Sequence, residues 1–130
     1  QYAHARAQSV LRKAAEMGCA TDAAALASQD LSGLTDAGEL ALMKKMAEWP
    51  RLVETAARLH EPHRVAFYLY ELASEFHAHW NRGNDMPALR FLQEGDSAAT
   101  QSKIALPAAV AIVISHGLGI LGVAPVDEMR

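Results

Sequence analysis

Cysteine is almost absent. Cys19 is the one thiol among 130 residues, so no intrachain disulfide can form and no spaced set of thiols stands ready for zinc. A lone thiol points to a reducing compartment. Glycine (8) and proline (5) are sparse and fall mostly between periodic stretches, which disfavours strands and turns and favours helices. Positive charge is also short: 12 Lys and Arg stand against 15 Asp and Glu, a formal net charge of −3. Binding to nucleic acid through charge alone is thereby disfavoured, because phosphate contacts need cations to displace counterions, and DNA is not an expected partner.

Catalytic signatures are missing too. Gly117, Gly119 and Gly122 have the wrong spacing for a dinucleotide loop and follow a helical stretch instead of joining a strand to one. No His-Glu-x-x-His string occurs among the six histidines, and His77 and His79, two apart, point to different sides of a helix. His60 and His63 straddle a proline, but two ligands do not make a metal site. The histidines read as surface or interfacial imidazoles. No serine-based triad can be assembled, so neither catalytic nor metal-binding residues are expected within these residues.

Charge is absent from one long run. From Ile104 to Val126, 23 residues carry none, a length that would span a bilayer. Pro107, Ser115, His116 and three glycines interrupt the run, and no Lys or Arg cluster flanks it. It reads as the central helix of a bundle, without a membrane partner.

What is present is helical periodicity. Ala3, Ala7, Val10, Ala14 and Met17 form one stripe, with Gly18 as its stop. Residues 19–35 have no sustained period and read as a connection with a short helical turn. Asp36 and Glu39 outline a capping box, opening a helix that carries Leu40, Met43 and Ala47 inward. Pro50 starts the next, with Val53, Ala56, Ala57 and His60 on its stripe. Pro62 starts the strongest helix, in which Val65, Leu69, Leu72, Phe76 and Trp80 step along a core face; residues 81–85 are expected to break it. After a short segment at 86–92, a last long helix should run from about Ser97 to His116 with Gly117 just past its end. Pro107 must kink this helix or mark its true start. The expectation is all-α: a single bundle of five to six helices over residues 1–130.

The sequence begins inside helical periodicity with nothing before Gln1 to cap it, the pattern of a piece cut from a longer chain. Three separated motifs then carry a family resemblance. The first is Gln1-Tyr2-Ala3-His4-Ala5-Arg6 followed by Ser9-Val10-Leu11-Arg12. The second is Pro62 with the run from Tyr68-Leu69 through Leu72-Ala73 and Phe76 to Trp80-Asn81. The third is Gly117-Leu118, Ile120-Leu121-Gly122-Val123, Pro125 and Glu128-Met129. In order and spacing, these resemble the DALR-type C-terminal anticodon-binding domain of arginyl-tRNA synthetases.

The resemblance implies an all-α domain that reads the anticodon stem-loop of arginine tRNA, chiefly its middle cytosine. The parent enzyme would be a monomeric cytoplasmic ligase that uses ATP and Mg in a catalytic domain absent from these residues; that domain would be a second partner. No HIGH-like or KMSKS-like signature occurs here, and Lys44-Lys45-Met46 is only an echo of one. By the same resemblance Tyr2, Phe76, Trp80 and Met129 are the anticodon-binding positions, with Gln1, His4, Arg6, Lys13 and Asn81 as polar or phosphate contacts. This suits recognition of single-stranded RNA, whose splayed bases stack on aromatic faces. For Phe76 and Met129 a core position is the competing reading.

Two residues depart from the family pattern. Trp80 stands where many members have tyrosine, and Lys103 where arginine is common, which would remove a bidentate contact. Two other functions share this pattern: a helical protein-interaction module that does not bind RNA, and the anticodon domain of another class I synthetase.

Overall fold

The computed structural model describes residues 1–129. Among these, all regular structure is helical: α1 (Tyr2–Glu16), α2 (Ala23–Ala27), α3 (Ala37–Ala47), α4 (Trp49–Arg58), α5 (His63–Asp85), a 3-10 turn (Pro87–Leu89), α6 (Ser97–Lys103) and α7 (Ala105–Ile120). Five of these helices have ten residues or more, and they form one bundle around a contiguous core.

α7 is the centre of that bundle. Leu106, Val110, Val113 and Ile114 are buried, and the helix packs on α1, α2, α3, α5 and α6. The uncharged run is therefore largely a core helix. Against it α1 presents Ala3, Ala7, Val10 and Ala14, and alanine-rich faces let two backbones approach closely. Met17 drops out of the expected stripe; it caps α1 and is exposed, and Gly18 ends the helix with φ 89°. In the illegible stretch that follows, Asp22 caps α2 through Ala25 N (3.1 Å), and Leu26 and Leu34 enter the core.

The capping box at Asp36 and Glu39 forms, but α3 is rotated from its expected face. Glu39 and Leu42 are buried, Met43 and Met46 half-buried, and Leu40 exposed. Glu39 causes the rotation. One of its oxygens accepts from Asp36 N (3.2 Å) and the other from Lys103 Nζ (3.0 Å), which turns this carboxylate inward and Leu40 out. On α4 only Ala56 is buried, while Ala57 and His60 are exposed. His60 lies beyond the helix end, with φ 55°.

α5 buries Val65, Tyr68, Leu69, Leu72, Phe76, His79 and Gly83. It continues through residues 81–85, contrary to the expected break. Local ties hold this last turn: Arg82 spans both oxygens of Asp36 (3.0 and 3.2 Å), and Arg90 Nε donates to Gly83 O (2.7 Å). Beyond it Phe91 folds back to stack on Phe76, with centroids 5.7 Å apart.

The expected last helix is two helices. Pro107 has no N–H to offer the carbonyl of Lys103, so the chain turns at Ile104 and Pro107 becomes the third residue of α7, where no intrahelical donor is required. Gly117 lies inside α7, not past its end; the left-handed residue is Gly122, with φ 77°. At Gly117 an added Cβ would come 2.6 Å from Leu69 Cδ2 and 2.9 Å from Leu69 Cγ. Gly117→Ala is thus expected to force α5 and α7 apart and destabilise the bundle by about 1–3 kcal/mol, read as a lower urea midpoint. An unchanged midpoint would mean that Leu69 simply swings aside.

Candidate nucleic-acid interface

Three segments distant in sequence meet at one end of the bundle: the start of α1, the second half of α5 and the tail after α7. The tail is tied down by polar residues of α1. Gln1 Nε2 donates to Ala124 O (2.8 Å) while its Oε1 accepts from Val126 N (2.9 Å). His4 Nδ1 lies 2.7 Å from Val126 O, and since a carbonyl only accepts, that nitrogen carries the proton. Arg12 Nη1 donates to Asp127 O (3.2 Å).

The expected roles of Gln1 and His4 change accordingly. His4 is buried, and both side chains are engaged with the tail at Ala124 and Val126.

Between tail and helices lies an open groove of about 340 Å³, lined by Tyr2, Arg6, Ser9, Arg12, Lys13, Trp80, Glu128 and Met129. The Arg6 guanidinium carbon sits 4.8 Å from the Tyr2 ring centroid and 4.8 Å from that of Trp80. Arg6 Nη2 also donates to the Tyr2 hydroxyl (2.8 Å), and Nη1 to His77 Nδ1 (3.1 Å). Tyr2 and Met129 are exposed and Trp80 half-buried, so their rings and thioether are accessible. Such a surface offers flat apolar faces for stacking and cationic donors for phosphates or base edges.

Two anticipated residues lie elsewhere. Phe76 has 0% exposure and belongs to the core, stacked on Phe91 beneath the groove. Asn81 is exposed next to Trp80 but does not line the groove. Lys103 is half-buried in its ion pair with Glu39.

The sequence model of the DALR anticodon binding domain matches residues 1–129. This chain belongs to that family. Its whole length aligns with arginine–tRNA ligases of Paracoccus denitrificans (65% identity), Ruegeria pomeroyi (64%) and Cereibacter sphaeroides (64%), covering 22% of each. The chain therefore spans about a fifth of the length of these curated relatives.

Within this DALR domain, sequence reasoning missed His77. Its half-buried ring lies 5.2 Å from that of Tyr2, and burial followed by the Arg6 charge pushes its pKa below the ordinary 6.5. The signal was available: Ala73, His77, Trp80 and Asn84 share one face of α5 at helical spacing, beside the core stripe. His79, two residues on, points to a different side of α5 as expected, but it and His4 are buried, contrary to the surface reading of the histidines, and burial again lowers the pKa of His79. Both of its ring nitrogens lack a hydrogen-bond partner among the described residues, and burial disfavours the charged ring there. Also among the described residues, no group of three His, Cys, Asp or Glu side chains converges as a metal site would require.

Proposed function

We propose that this DALR domain is the tRNA-reading part of an arginine–tRNA ligase, and that the groove between Tyr2, Trp80 and Met129 receives anticodon bases of arginine tRNA. The single observation that carries this reading is the Arg6 guanidinium held between two aromatic rings at an accessible groove. A splayed base stacks on Tyr2 or Trp80, Met129 closes the far wall, and Arg6 donates to a base edge or phosphate. Lys13 and Arg12, which line the groove, supply contacts to the RNA backbone despite the negative total charge. The middle cytosine of the anticodon is the base expected there.

In the parent enzyme, a cytoplasmic ligase, ATP and Mg serve the catalytic domain that joins arginine to its tRNA. This domain supplies orientation and specificity.

The test is titration of the chain with an arginine anticodon stem-loop and with the same loop carrying another middle base, at low and moderate salt. The matched loop is expected to bind roughly five- to 150-fold tighter, since hydrogen bonds to a base edge discriminate against the wrong base by about 1–3 kcal/mol, and both affinities should fall with salt. Equal binding to both loops would overturn base reading. Salt-independent binding would favour an apolar protein-interaction surface instead.

A further inference from the structure

Arg6 hangs from a long flexible stem, yet its guanidinium is held at two corners. One tie is local: Tyr2 is four residues back on the same helix, and its hydroxyl accepts from Nη2 at 2.8 Å. The other crosses from α1 to α5, where His77 Nδ1 lies 3.1 Å from Nη1. A guanidinium is always charged and only donates, so Nδ1 must offer a lone pair. The ring is therefore a neutral imidazole with its proton on Nε2. The same ring packs against Tyr2 at 5.2 Å and Phe76 at 5.8 Å, so it orients one wall of the groove as well as the cation within it.

We propose that His77 is a positioning residue of the anticodon groove: its neutral imidazole fixes the Arg6 guanidinium between Tyr2 and Trp80, and base discrimination depends on that ring remaining unprotonated. The inference rests on the anticodon reading above. Protonation would turn Nδ1 into a donor facing a donor and set a second positive charge against Arg6, so the guanidinium must leave its seat. The groups facing His77 from α1 are the Arg6 guanidinium and the Tyr2 phenol; the tail brings Glu128 to the wall of the same groove. Burial and the Arg6 charge both disfavour the protonated ring. The switch thus operates below the ordinary histidine range, and discrimination is lost as pH falls.

Two readouts test this, one without RNA. In the free chain, nitrogen NMR of His77 should show Nδ1 unprotonated and Nε2 protonated at neutral pH. The Trp80 indole N–H resonance should shift with the same midpoint as His77. Either a protonated Nδ1 or an indole resonance that ignores the His77 midpoint overturns the proposal.

The second readout is the ratio of affinities for the matched and middle-base-substituted loops, which cancels the general strengthening of RNA binding in acid. His77→Leu should reduce that ratio about tenfold at neutral pH, the size of one charge-assisted hydrogen bond. His77→Asn, whose side-chain oxygen stands near the place of Nδ1, should recover part of it and make it flat with pH. If the native chain discriminates and His77→Leu does so equally well, the inference fails while the anticodon reading stands. If the native chain discriminates at no pH, the anticodon reading fails and the inference falls with it.

Discussion

Replacing Lys103 with methionine is expected to cost this DALR domain about 3–5 kcal/mol of stability, the usual penalty for stranding one partner of a buried ion pair. The side chains of Glu39 and Lys103 retain 4% and 14% exposure, and their atoms meet at 3.0 Å. The carboxylate also closes the capping box on Asp36, so it cannot turn to water without opening the first turn of α3. Urea unfolding measures the loss. Adding Glu39→Gln to Lys103→Met should recover much of it, because the stranded charge is gone even though the attraction is not restored. A loss below about 1 kcal/mol would show that the pair behaves as a solvated surface bridge.

The second large effect concerns RNA. Trp80→Ala is expected to weaken binding of the matched anticodon stem-loop by about 1–3 kcal/mol, roughly five- to 150-fold, the range found when a base loses its aromatic platform. The indole is one face of the Arg6 sandwich and packs 6.3 Å from Phe91, so its removal disturbs both groove and core edge. Trp80→Phe separates the two effects. It keeps a flat ring and should retain most of the affinity, whereas equal weakening in both variants would mean that the base does not stack there. A urea midpoint for each variant shows how much of any change is stability.

Stability and RNA binding draw on different layers of the same fold. The ion pair and the Asp36–Arg82 bridge anchor the start of α3 to α6 and to the end of α5, which keeps the last turns of α5 helical. Those turns carry His77 and Trp80 to the groove. Opposite them, α1 and the tail it captures bring Tyr2, Arg6 and Met129.

Much of this was legible in the chain itself. Apolar spacing located the helices, Asp36 with Glu39 announced a cap that forms, and Gly18 marked a real stop. Wherever a single local rule competed with a distant contact, the local reading failed. Leu40 looked like a core residue until Glu39 claimed the inward face. Residues 81–85 looked like a break until Arg82 and Gly83 found partners on Asp36 and Arg90. Gly117 looked like a helix end but is a place where only a hydrogen fits beneath Leu69.

The candidate site divides in the same way. The sequence alone determined the all-α class and the family motifs, because residue type and spacing are local properties, and the resemblance those motifs carry nominated Tyr2, Trp80, Met129 and Arg6. Only the tertiary structure decided which of the nominated side chains share a surface. Phe76 and Trp80, four residues apart on one helix, both pack on Phe91, yet Phe76 is fully buried while Trp80 keeps part of its ring at the groove. Gln1 and His4 spend their hydrogen bonds on a tail more than 120 residues away, and His77 becomes a partner of Arg6 only once α1 and α5 are packed side by side. Burial and hydrogen bonding are settled by what lies across the core, which no window along the chain contains.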